Sequence, residues 1–190
     1  MWLACVSYFA LADPQLSLGP LIKADAGPYG YTARKLFFRG KHIDYLYDGT
    51  GINPFSSSYV VFLSCGIKEN ADWKKDEFDG ECMQWKLLRL RDGRLSRLVL
   101  PRYDAFFGHP AFRWPYIGYV SVGRGAKGQV DCMAFDWRKQ TIIGRRFMFS
   151  SSELPGTDFP GEFPPPRFSG SGDQLTCTHD GKFYDVPLVR

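Results

Sequence analysis

Uninterrupted helix-forming sequence is scarce in this chain. Its 190 residues include 20 Gly and 13 Pro, and because both residues break helices, a helical bundle or coiled coil is excluded. Long hydrophobic runs are also lacking. The longest, 2–12, has eleven residues, too few to cross a bilayer as a helix. That run has the length of a signal-peptide core, but only Met1 precedes it and no basic segment does. A first β-strand rich in Trp, Val, Tyr and Phe is therefore the simpler reading. Export to a periplasm, with 1–12 as a signal segment, is the alternative.

Cysteines are few and scattered: Cys5, Cys65, Cys82, Cys132 and Cys177 form no Cys-x-x-Cys pair, so no zinc site is expected. A chain of this length holds together by burial, and reduced thiols in a cytoplasm fit that build. A Cys65–Cys82 clip across the polar excursion 68–81 is the alternative for an exported protein. Histidine is scarcer still. His42, His109 and His179 show no His-x-x-x-His spacing, and no metal is expected. The triplets Ser56-Ser57-Ser58 and Ser150-Ser151-Ser152 lack the Gly-x-Ser-x-Gly elbow of an exposed nucleophile. Gly123-Arg124-Gly125-Ala126-Lys127-Gly128 ends without the Gly-Lys-Ser or Gly-Lys-Thr of a phosphate loop, and a strand follows it instead of a helix. It reads as a basic hairpin loop, and no cofactor is expected. Asp131 and Asp136 lie on one expected strand, five residues apart, so they point to opposite faces and make no catalytic pair.

Charge of either sign is nearly balanced, with 24 Lys or Arg against 20 Asp or Glu and a net charge of +4. Basic residues concentrate at 86–97, five in twelve, and at 138–146, four in nine. Both stretches alternate with apolar residues, as the solvated faces of strands do. Nucleic acid is therefore an unfavoured partner. A weaker reading gives Arg89, Arg91, Arg94 and Arg97, with Trp85, to nucleic acid or polysaccharide, and it predicts binding that weakens steeply with salt.

The chain is well supplied with core-forming residues: 44% are hydrophobic and 16% aromatic. Apolar runs alternate with turn signals throughout. Asp48-Gly49, Asp92-Gly93 and Asp180-Gly181 are the dipeptides that favour type I′ hairpin turns, in which both central residues need positive φ. They predict hairpins joining 83–90 to 95–100 and 175–178 to 183–186, while 37–47 folds back around Arg39-Gly40-Lys41. One helical turn at 71–78 is the only helix expected. Five prolines at 150–167 make that stretch an extended connector without ladder hydrogen bonds. Phe159 and Phe163, set between those prolines, are expected to pack back onto the body.

Three segments repeat. Phe55, Phe112 and Phe168, spaced by 57 and 56 residues, each follow a proline by one or two positions and precede a short turn that opens into a strand. After the first two come a further strand and its hairpin partner, 83–90 with 95–100 and 130–137 with 141–148. This unit resembles a β-propeller blade, and 166–175 resembles it most. The resemblance spans 50–190 and implies antiparallel meander sheets. Closed rings need at least about four blades of about 40 residues, so the expectation is a single all-β domain, 1–190, built as a propeller-like or incomplete propeller array. A β-sandwich is the alternative.

The acidic stretch 72–81 is inserted into the first unit of a basic protein. Trp73 and Phe78 stand there among Asp76, Glu77 and Asp79, and aromatic anchors within a charged rim compose many protein-binding surfaces. The leading expectation is a non-enzymatic module that engages a partner protein through 68–81 and the connector 150–167, with no membrane involved. Small scaffolds of this kind resemble, by analogy of build, the bacterial immunity proteins that neutralise toxins by plugging their active sites. That likeness implies a toxin or effector as partner and steric occlusion as mechanism. The rival is a hydrolase acting on a sugar or ester with Asp and Glu at loop ends.

Overall fold

The structure, a computed structural model, describes residues 15–24, 31–65, 84–103, 108–123, 128–150 and 163–188. The described residues form fourteen strands and no helix. The sheets are antiparallel and none closes into a barrel, so the fold is all-β, as the Gly, Pro and turn content implied. The run 2–12, the possible helical turn at 71–78 and all but the ends of the 150–167 connector lie outside the described residues.

The chain divides into two compact units, Met1–Ile52 with Val61–Ser96 and Asn53–Val60 with Arg97–Arg190. The first is built on one sheet. Strands β1 (Leu16–Ala24), β2 (Tyr31–Phe38), β3 (Lys41–Tyr47), β5 (Tyr59–Ser64), β6 (Gln84–Arg89) and β7 (Arg94–Arg97) lie in that order, with β4 (Ile52–Ser56) pairing β5. Leu36, Leu46, Val61, Phe62, Leu87 and Leu88 are fully buried in it. Arg39 and Gly40, with φ of 50° and 75°, make the two-residue turn between β2 and β3, so that Phe38 pairs with Lys41. Arginine tolerates this left-handed backbone poorly; here its guanidinium lies over the Phe38 ring, 4.9 Å from the centroid.

Two of the three Asp-Gly expectations need correction. At Asp92-Gly93 the hairpin forms, but only Gly93 takes positive φ, and its amide donates to the Arg89 carbonyl at 2.9 Å. That is a longer turn than type I′, because Asp92 is drawn onto the Arg89 guanidinium instead. At Asp48-Gly49 the positive φ falls on Gly51, and Asp48 pairs with Arg34 at 2.6 Å. Asp180-Gly181 does form the two-residue turn, with φ of 47° and 72° and His179 paired to Lys182.

The second unit layers two sheets. Strands β8 (Ala111–Arg113), β9 (Tyr116–Val122), β10 (Gln129–Asp136) and β11 (Thr141–Ser150) form a meander, and β12 (Arg167–Phe168), β13 (Gln174–His179) and β14 (Lys182–Pro187) form a smaller one. Val120, Val130, Ala134, Met148, Phe163, Leu175 and Val186 make the shared core. Phe163 thus packs inward as expected, while Phe159 lies outside the described residues. Phe163 also forms an isolated bridge with Gly108, so the connector is not wholly free of ladder contacts.

The sheets approach closely where glycine leaves room. A Cβ on Gly118 of β9 would stand 2.3 Å from Leu175, and one on Gly144 of β11 would stand 2.3 Å from Val186. Between these two points, Cys132 of β10 and Cys177 of β13 form a disulfide. The reduced-thiol expectation fails for this pair because face-to-face packing brings their Cα atoms to 5.8 Å across a sequence separation of 45. Cys65 is buried, and Cys82, its suggested partner, lies outside the described residues.

Candidate functional site

The three segments with similar sequence each hold a short strand. Phe55, Phe112 and Phe168 lie on the short strands β4, β8 and β12, each of which turns back onto a longer strand, β5, β9 or β13. The turns between them are neighbours. Phe55 meets Phe112 edge to face at 6.0 Å and Trp114 at 5.1 Å, and Tyr59 stacks on Trp114 at 5.8 Å with 14° between the rings. Such ring pairs contribute about 0.5–1.5 kcal/mol each beyond the area they bury.

Arg113 carries the chain of contacts from the second turn to the third. Its guanidinium donates to the Ser169 carbonyl and, at 2.9 Å, to the Gly170 carbonyl. The third turn is shaped to receive it. Ser169 and Ser171 donate their hydroxyls to Asp173 at 2.8 Å and 2.5 Å, and the Gly172 amide donates to Ser169 Oγ. Gly172 has φ of 75°, and a Cβ there would lie 2.6 Å from the Arg113 guanidinium, so glycine is required twice over.

The outcome is a surface on which Trp114 remains 38% exposed while a stacked Tyr and an edge-on Phe hold its ring. Trp, Tyr and Arg are the residue types that dominate binding energy at protein interfaces. The sequence reading picked out Phe55 and Phe112 but passed over Tyr59 and Trp114. A signal was there: each follows its Phe by a few residues, at or just after the turn.

Trp73, Asp76, Glu77, Phe78 and Asp79 all lie outside the described residues. Trp85 is only 3% exposed, which removes it as a stacking surface for nucleic acid or polysaccharide; it faces the core because β6 alternates buried and half-buried positions there. Arg89 and Arg91 both ion-pair with Asp92. That contact holds the Asp92 carboxyl at about 2, with the Arg89 hydrogen bond as the main cause.

The carboxylates of β10 are structural. Register with β9 runs unbroken from Val130 to Asp136, which puts Asp131 and Asp136 on opposite faces as expected. Asp136 accepts from the amides of Arg138 and Lys139 and so shapes the β10–β11 turn. Asp131 is 1% exposed and pairs through Oδ2 with Arg145 at 2.8 Å. Its other oxygen and the hydroxyl of Ser121, directly opposite on β9, are buried without a hydrogen-bond partner. Burial raises the Tyr119 phenol above its ordinary value, and its hydroxyl donates to the Pro101 carbonyl at 2.9 Å. Among the described residues no group of His, Cys, Asp and Glu is arranged to hold a metal ion.

These features define an all-β protein of layered antiparallel sheets with an aromatic surface at adjoining turns. No protein-family model matches the chain, and no curated protein matches it.

Proposed function

We propose that this chain is a non-enzymatic protein-binding module whose described anchor is Trp114. The observation that carries the reading is the exposed Trp114 ring held by Tyr59 and Phe55, with Arg113 beside it in sequence fixing the neighbouring turn. A large aromatic immobilised before binding loses little conformational entropy on contact, which is what a hot-spot residue needs. The nearly equal spacing of the three Phe-turn-strand elements supports reading them as blade-like units that present their turns side by side. A toxin or effector is the partner class in this reading, and occlusion of its active site is the mechanism. The Cys132–Cys177 disulfide favours an oxidising compartment, the exported alternative of the sequence reading.

The test is capture of partners from the native host, including proteins encoded beside this gene, on the full chain and on Trp114→Ala and Tyr59→Ala variants checked for folding by circular dichroism. Retention of one stoichiometric protein, lost by about a hundredfold with Trp114→Ala, supports the reading. Retention unaffected by either variant, or hydrolysis of a sugar or ester substrate by the purified chain, overturns it.

A further inference from the structure

Among the described strands β11 is the edge of its sheet, and its ten residues make it the longest. One bulge decides what it displays. The register shift against β10 at Ala134/Phe135 brings Ile142 onto the face of Arg145 and Phe147, so that the three stand opposite Phe135, Met133 and Asp131 on one face of the sheet. Without that bulge Ile142 would face the other way. They are 41%, 44% and 51% exposed. The opposite face of β11 is covered, because Gly144 lies against Val186 of β14.

The β10–β11 hairpin is also mostly cationic. It carries Arg138, Lys139, Arg145 and Arg146, all exposed, against two buried carboxylates, Asp131 and Asp136, while Asp185 of β14 lies near Arg146. Asp131 already holds Arg145 in place, and Arg145 also donates to Gln129 at 2.6 Å. The displayed stripe is therefore apolar, cationic, apolar, with the cation preorganised between the two apolar side chains.

We propose that β11 is a docking edge for an acidic extended segment of another protein, which adds to the sheet as a fifth strand. Main-chain ladder bonds supply affinity in this mode, apolar side chains of the segment cover Ile142 and Phe147, and a carboxylate between them meets Arg145. A second copy of the chain is a poor occupant. Antiparallel self-pairing of Thr141–Ser150 about its midpoint sets Arg145 and Arg146 of each copy against those of the other, and like charges directly opposed destabilise a strand pair. This edge lies across the sheet from β8, which leads into the turn of Trp114, so the two surfaces are tested separately.

The experiment selects a phage-displayed library of random ten-residue peptides on the full oxidised chain. Selected peptides are then measured by fluorescence anisotropy and by hydrogen exchange of β11 amides. Expected are sequences alternating acidic and apolar residues, protection of 141–149, weakening as salt rises, and about a tenfold loss with Phe147→Gln or Ile142→Gln. Both variants change exposed side chains and leave the Asp131–Arg145 pair intact. Selection of basic peptides, protection only near 113–116, or affinity unchanged in both variants overturns the proposal. So does sedimentation of the chain as a dimer that Phe147→Gln dissociates, which assigns the edge to self-association.

Discussion

Each unit buries an aspartate in a sheet, and the two are served very differently. Asp44 on β3 accepts from Ser64 Oγ at 3.0 Å, from Lys86 Nζ at 2.7 Å and from the Tyr45 amide at 2.8 Å. Its charge is thus tied to three neighbours on β3, β5 and β6. Asp131 on β10 has one partner, Arg145, and an oxygen with none. A buried charge with a full set of donors holds strands in register, whereas one left short of donors costs stability. The second unit offsets that cost by other means, namely a disulfide and two glycine contacts between layered sheets. Ionic cross-strand ties therefore fix the first unit, and covalent and steric ties fix the second.

The largest test of this contrast is reduction. A cross-link spanning 45 residues restricts the unfolded chain by about 4 kcal/mol. Replacing Cys132 and Cys177 by Ala should accelerate hydrogen exchange throughout β9–β14 while leaving β2, β3 and β6 at their original rates. Equal acceleration in both units would show that they share one stabilising network.

Next in size is the pair of aspartates. Asp44→Asn strands the Lys86 ammonium, whose side chain is only 23% exposed, and should lower stability by about 2–3 kcal/mol in urea melts. Asp131→Asn releases an arginine that is 44% exposed, and about 1 kcal/mol or less is expected. The opposite ranking would break the comparison.

Sheet contact comes third. Gly144→Ala drives a methyl into β-branched Val186 and should cost about 1–3 kcal/mol, partly recovered by adding Val186→Ala. Gly118→Ala meets the flexible end of Leu175 and should cost less in the same melts.

The smallest effect concerns pH. Asp92 titrates at about 2 instead of its ordinary 3.8 because it binds Arg89. A depressed folded value means that the pair stabilises the β6–β7 hairpin above the ordinary value, and the contribution is lost as pH falls through about 4 towards 2. In Arg89→Ala the carboxyl midpoint, followed by NMR, should move up towards 3.8. An unmoved midpoint would assign the shift to the backbone of the turn.

Much of the architecture was legible locally. The hairpin at Asp180-Gly181 follows from two residues that accept positive φ, and Phe55, Phe112 and Phe168 each lie on a short strand that pairs with the strand after it. The candidate surface was less legible. Trp114 sits in a short turn and Tyr59 just after one, and only their stacking across 55 residues of sequence distinguishes them from ordinary surface rings. Trp85 misled for the converse reason: a run of arginines follows it in sequence, but the pleat turns its indole inward.

Composition and turn chemistry by themselves determined that this protein is all-β, where most of its hairpins fall, and that Asp131 and Asp136 part to opposite faces, because these depend on backbone preferences and a period of two. Tertiary structure alone decided that Cys132 meets Cys177, that Gly118 and Gly144 admit a second sheet, and that a bulge brings Ile142 onto the face of Arg145 and Phe147. The reason is physical: each depends on which strands lie side by side and in what register, and that is settled by burial summed over the whole sheet rather than by any residue's neighbours in sequence.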